Sequence, residues 1–241
     1  MYYWVPTTVS KHLVSKIEDL DVPLLTTNYD NILRFDEKSN DMMKCKFIGK
    51  NRINEEDYHA GCIEDYDKNV NEFIDESYHQ NIHSNINKSW NYYFSNKELT
   101  SSIAGFGVWN IHGSIEHSKS IVIGSNDYQD CIRSADKMIA SLYKDDDTNK
   151  YAWNNTWLNI LFNKSLFIFG LSLDENEIFL RHLLEERSKY YFLNPDKKQK
   201  GWYVTVEPVS EGKRLFLKNY GFEILEVENY KVIYEDIWEN L

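Results

Sequence analysis

Cysteine is scarce and scattered. Cys45, Cys62 and Cys131 lie far apart, with no CxxC pair among them. This excludes a cysteine-rich zinc module and leaves no disulfide framework, so a reducing, cytoplasmic setting is expected. No apolar run approaches membrane-spanning length, and no membrane association is expected. Met1-Tyr2-Tyr3-Trp4 has neither the basic start nor the long apolar region of a signal peptide. The GxGxxG, GxxxxGK[ST] and HExxH spacings are all missing. Glycine is missing from the whole amino-terminal stretch, Gly49 being the earliest. Positive charge is in deficit: Lys+Arg number 27 against 38 Asp+Glu, a net charge of −11. A surface of that sign repels phosphate backbones, which argues against direct nucleic-acid binding. There is no internal repeat and no low-complexity tract.

What the chain does have is enough apolar material for a sizeable core, with 42% hydrophobic and 15% aromatic residues in 241. That length suits one generous domain, or one domain carrying an insertion. Val9, Leu13, Ile17 and Leu20 recur at helical spacing behind Thr7 or Thr8 as a cap, predicting a helix over Thr8–Leu20. Pro23 ends it, a short strand Leu24–Thr27 follows, and Asn31–Phe35 reads as the opening turns of a helix. Further strands are expected at Cys45–Ile48, Gly107–Ile111, Ser120–Ile123, Ser165–Phe169, Gly201–Val206 and Phe222–Val227. Helices are expected at Gln129–Tyr143, Trp153–Phe162, Glu175–Lys189, Ser210–Tyr220 and Tyr230–Leu241. Ser165–Phe169 is apolar throughout, as a strand buried on both faces should be.

The alternation defines an α/β fold with a doubly wound, mostly parallel sheet. From Asp36 to Ser102 the character turns polar and Asn-rich, and this stretch reads as an inserted, mainly helical sub-domain. Phe73, Ile74, Ile82, Ile86 and Trp90–Phe94 are its helix candidates. The domain plan is therefore 1–35 with 103–241 as the main body and 36–102 as the insert.

Three strands end in polar or glycine-bearing tips: Thr26-Thr27-Asn28-Tyr29-Asp30, His112-Gly113-Ser114 and Gly170-Leu171-Ser172. A parallel sheet carries such tips on one edge, which is where open α/β sheets bind ligands. Each tip also has a plainer reading. Thr, Asn and Asp are common helix caps, a lone buried His commonly bonds a neighbouring carbonyl, and Asp174 can cap the next helix. On the functional side, His112 titrates near neutrality and can take a proton from a sugar hydroxyl or a water. Gly113 leaves room for close approach, and Gly170–Ser172 before a helix can accept phosphate at its amino terminus. His79 and His83 can share a helical face, but no carboxylate pattern accompanies them, so no metal is expected.

Thr26–Asp30, Asn110–Ser114, Ile121–Tyr128 and Phe167–Asp174 occur in the order found in sirtuin-like proteins. The chain most resembles the zinc-free branch of bacterial antiphage-defence systems, whose members hydrolyse NAD+. The resemblance runs from about Leu13 to Trp238 and implies a Rossmann-like fold with NAD as substrate and no metal. It gives Asn28 the nicotinamide ribose or a water near its anomeric carbon. Asp30 falls to the carboxamide, and His112 is the base that engages the ribose hydroxyls. Thr26, Thr27, Gly113, Ser114, Gly170, Ser172 and Glu207 would line the dinucleotide. A sirtuin deacylase normally carries a four-cysteine zinc module, so hydrolysis is expected rather than deacylation. One departure stands out: nothing before Leu24 can serve as the glycine-rich loop with which this family cradles pyrophosphate. The expected partners are accordingly NAD+ or ADP-ribose, together with a second copy of the chain or a defence-system protein. Two functions stay open, an NAD+ hydrolase and a catalytically degenerate module that binds ADP-ribose or a protein.

Overall fold

The computed structural model describes residues 6–48, 90–115, 120–143 and 153–239. Phe73, Ile74, Ile82 and Ile86, along with Cys62, His59, His79, His83 and His117, lie outside them. The described residues form a mixed α/β structure, with parallel sheet segments and helices packed against them. Helix α1 (Thr8–Asp19) begins where Thr7 Oγ1 accepts the Ser10 amide at 3.2 Å, an N-cap satisfying one orphan donor of the first turn. It buries Leu13, Val14 and Ile17, whereas Val9 and Leu20 at the ends of the apolar stripe are exposed.

Strand β1 (Leu24–Thr26) pairs in parallel with β6 (Val108–Asn110), in the register Leu24 to Val108 and Thr26 to Asn110. A 3₁₀ turn over Ile32–Arg34 replaces the helix expected after β1 and leads into the hairpin of β2 (Phe35–Asp36) and β3 (Asp41–Met42). Strand β4 (Cys45–Phe47) pairs antiparallel with β5 (Tyr92–Phe94), and β5 pairs antiparallel with β6. The sheet order is β1-β6-β5-β4. Tyr92–Phe94, expected on a helix, is thus an interior strand. The described residues between Asp36 and Ser102 contribute strands to the main sheet.

The remaining elements are α2 (Ser125–Leu142), α3 (Trp157–Asn163), β7 (Leu166–Phe169), α4 (Ile178–Leu193), β8 (Gly201–Thr205), α5 (Glu211–Asn219) and β9 (Phe222–Glu226). A π-helical turn at Val232–Asp236 and a short helix α6 (Ile237–Glu239) follow. Strands β7, β8 and β9 form their own parallel sheet. Ser120–Ile123, expected as a strand, makes no ladder, although Val122 N donates to His112 O at 3.0 Å.

The described strands therefore form two main sheets joined by packing. One core draws Trp109 and Ile111 from the first sheet together with Leu166, Tyr203 and Phe222 from the second, under α2, α3 and α4. The other joins α1, β1, β5 and β6 to Trp238, with Phe167 and Phe169 of β7 packed against it. Each core spans both sheets. Their apolar burial is the main force holding the sheets together, since no ladder links them among the described residues. Strand β7 is not buried on both faces as its composition suggested: Phe167, Ile168 and Phe169 are half-buried.

Candidate functional site

The two tips of the β1–β6 pair are bound to each other. Asn28 and His112 each lie two residues past the paired Thr26 and Asn110. Asn110 Nδ2 donates to Asn28 O at 2.7 Å, and Ile111 N donates to Thr26 O at 2.9 Å. Thr26 is buried and its Oγ1 accepts the Asn28 amide at 3.1 Å, which fixes the chain as it leaves the strand. The side chain of Asn28 is exposed, while Thr27 is half-buried. Asp30 Oδ1 accepts the Ile32 amide at 3.0 Å, so this carboxylate caps the 3₁₀ turn.

Beneath the tips lies a side chain that sequence reasoning missed. Arg34 is 1% exposed, donates to Asn110 Oδ1 at 3.1 Å and to Ser114 Oγ at 2.6 Å, and places its guanidinium 3.5 Å from the centre of the Phe94 ring. Charge-assisted bonds of this kind pin the end of β6. Ser114 is buried here, its amide donating to Ser120 Oγ at 3.0 Å, and Tyr92 Oη donates to the same hydroxyl at 3.1 Å. Gly113 has φ of +91°, and a Cβ at that position would lie 2.2 Å from Ser120 O. The room that glycine provides is filled by the protein's own backbone.

His112 is 3% exposed, and its Nε2 has no hydrogen-bond partner among the described residues. Burial holds its pKa down to about 4 from the ordinary 6.5, so the ring is neutral at physiological pH. Its edge meets the Tyr128 ring at 5.6 Å, and Phe179 lies 6.3 Å away. Tyr29 Oη donates to Val122 O at 2.7 Å. Burial, with Glu177 and Asp127 nearby, raises the Tyr29 phenol, while burial, Tyr29 and Glu177 push Tyr128 up to about 12. Burial and then Asp174 raise the Glu177 carboxyl above its ordinary range, and its buried Oε2 also lacks a partner among the described residues.

The third tip joins this cluster through its downstream residues. Glu177 and Phe179 reach Tyr128 and His112, whereas Gly170 turns at φ +63°, where a Cβ would lie 2.7 Å from Tyr234 Oη. Ser172 is exposed, and its carbonyl accepts from Tyr203 Oη at 3.3 Å. Glu207 is exposed at the end of β8, its amide donating to Thr205 Oγ1 at 3.1 Å. His112, Tyr128 and Phe179 are thus in ring contact, with Tyr29 and Glu177 among the electrostatic neighbours of Tyr128; Asn28 ends the adjacent tip, and Gly170, Ser172 and Glu207 follow strands of the other sheet. Tyr29 and Tyr128 lie within the Thr26–Asp30 and Ile121–Tyr128 stretches of the resemblance, which gives them no role, and Glu177 carries no sequence signal; raised carboxyls and phenols of this kind become visible only with burial. Among the described residues no group of three His, Cys, Asp or Glu side chains is placed to hold a metal.

The tips of the parallel β1–β6 pair, with a buried imidazole that lacks a partner at Nε2 among the described residues, define an α/β protein with a candidate polar site at a sheet edge. The family follows from the sequence itself. Residues 64–225, more than half of the chain, match the SIR2-like domain, and the chain belongs to that family. SIR2-like domains use NAD. The matched stretch contains His112, Gly170 and Glu177, while Asn28 and Asp30 lie upstream of it. No curated protein and no solved structure matches significantly. Among the described residues no helix is long and apolar enough to cross a membrane.

Proposed function

We propose that this protein hydrolyses the nicotinamide–ribose bond of NAD+, as a cytoplasmic component of a bacterial antiphage system. The observation that carries the reading is the buried, unpartnered Nε2 of His112 beside the bound pair of tips ending in Asn28. A buried polar atom without a partner is disfavoured by about 1–3 kcal/mol, and a ribose hydroxyl is a partner of the right size and polarity. The neutral imidazole accepts a hydroxyl proton. Asn28, exposed at the neighbouring tip, holds the ribose or the attacking water. Asp30 faces the carboxamide, and Thr26, Thr27, Gly113 and Ser114 shape the backbone around it. Gly170, Ser172 and Glu207 contact the adenosine-phosphate half, on a doubly wound arrangement in which the two parallel segments act as one surface. Developing positive charge on the ribose is favoured by the carbonyls and carboxylates gathered here.

Incubation of purified protein with NAD+, alone and with proteins encoded beside it, tests this by nicotinamide release. Turnover should fall by about 10²-fold or more in His112→Ala and in Asn28→Ala. A second reading, a degenerate module that binds ADP-ribose or a protein partner, is favoured by Tyr234 Oη crowding the Gly170 turn and by the glycine-free residues upstream of Gly49. Binding of ADP-ribose with no nicotinamide release would select it.

A further inference from the structure

We infer that Glu177 is the proton acceptor of this site, taking a proton from the water that attacks the anomeric carbon of the ribose. The inference rests on the hydrolase reading and adds a residue to it. Glu177 is the N-cap residue of α4, yet its side chain makes no cap hydrogen bond, so the carboxylate is not spent on its own helix. Its Oε2 is buried and unpartnered among the described residues, as is Nε2 of His112. His112 meets the Tyr128 ring edge-on and lies 6.3 Å from the ring of Phe179, in the first turn of the helix that Glu177 caps, so the start of α4 abuts the imidazole. Orphan polar atoms at the end of β6 and the start of α4 are what a site for a polyhydroxylated substrate and a water requires.

The electrostatics divide the labour. Burial makes the imidazole a weaker base than usual and the carboxylate a stronger one. Neighbouring groups pushed in opposite senses mark separate acid–base roles. The groups facing Glu177 are Asp174 from its own loop, Tyr29 from the segment after β1 and Tyr128 from α2. None of these brings positive charge that would weaken the base. In the step itself the C1′–N bond breaks and its electron pair leaves on neutral nicotinamide. The water oxygen bonds to C1′, and its proton passes to Oε2 of Glu177, giving ADP-ribose. The proton then returns to solvent. His112 keeps the ribose hydroxyls in place throughout.

Glu177→Gln should lower kcat by about 10²–10³-fold with KM little changed. It should also remove the acid limb of the kcat–pH profile and leave ADP-ribose affinity, measured by calorimetry, as in the wild type. Added formate should restore turnover to Glu177→Ala and not to His112→Ala. A Glu177→Gln enzyme with wild-type kcat, or one whose loss is matched by an equal loss of ADP-ribose affinity, overturns the assignment. If the wild type turns over NAD+ and Glu177→Gln does too, only Glu177 falls; if the wild type releases no nicotinamide, the hydrolase reading falls and takes this inference with it.

Discussion

His112 combines two properties that usually exclude each other: it is buried among aromatic rings, and one of its nitrogens is unbonded. Its depressed pKa has a consequence for stability. The unfolded chain protonates this ring near pH 6.5, whereas the folded chain resists protonation until about pH 4. Stability contributed by the neutral ring is therefore complete above the unfolded pKa and is lost as pH falls from about 6.5 towards 4, an effect on the order of 3 kcal/mol. Urea unfolding between pH 4 and 8 should show this acid-side slope, and His112→Gln should flatten it. An unchanged slope in the variant would place the titration elsewhere. The sequence singles out this histidine because it follows a strand and precedes a glycine. Its neutral state was not legible, since desolvation depends on Tyr128 and Phe179, distant in the chain.

At the scale of elements, caps and breakers carried the most information. Thr7 caps α1 as its position suggests, and Ser210, read as the first residue of its helix, is instead the cap of α5, each accepting an amide three residues on. Tyr92–Phe94 gives no strand signal because a strand buried on both faces shows no alternation, and a short aromatic run carries no period of its own. The β2–β3 hairpin is too short to leave a hydrophobic pattern. The role of Gly113 also needed the structure: its neighbour is the Ser120 carbonyl. Gly113→Ala should destabilise the fold by about 3 kcal/mol or more, since both a positive φ and a backbone clash oppose the side chain. Thermal unfolding checks this, and a shift comparable to an ordinary surface substitution would contradict it.

For the molecule as a whole, the alternation of strands and helices correctly specified an α/β chain, while the sorting of strands into two sheets had no counterpart in sequence pattern. Strand pairing is decided by long-range packing, and β6 and β7 read alike as apolar runs. Arg187 is one of the residues that tie the layers together. It is 1% exposed on α4, its Nε donates to Leu161 O at 2.8 Å, and its other donors reach Lys164 O at 3.3 Å and Lys200 O at 3.3 Å. One guanidinium thereby links α4 to the end of α3 and to the approach to β8. Arg187→Ala should lower unfolding free energy by about 2–4 kcal/mol, because buried carbonyls lose their donors. Arg187→Lys should recover little, since an ammonium cannot span the same acceptors. Chemical denaturation of the pair of variants tests both statements; full recovery by lysine would show that charge alone matters.

The division of the described strands into two main sheets bears on how firmly the candidate site is held. His112 follows a strand of one sheet and Glu177 a strand of the other, and among the described residues no continuous hydrogen-bond ladder sets the spacing between them. That spacing is a property of the side chains wedged at the seam, Tyr128 and Phe179 foremost. Replacing Tyr128 or Phe179 by a smaller side chain would therefore change the spacing between acid and imidazole while leaving every ladder hydrogen bond of the two sheets in place.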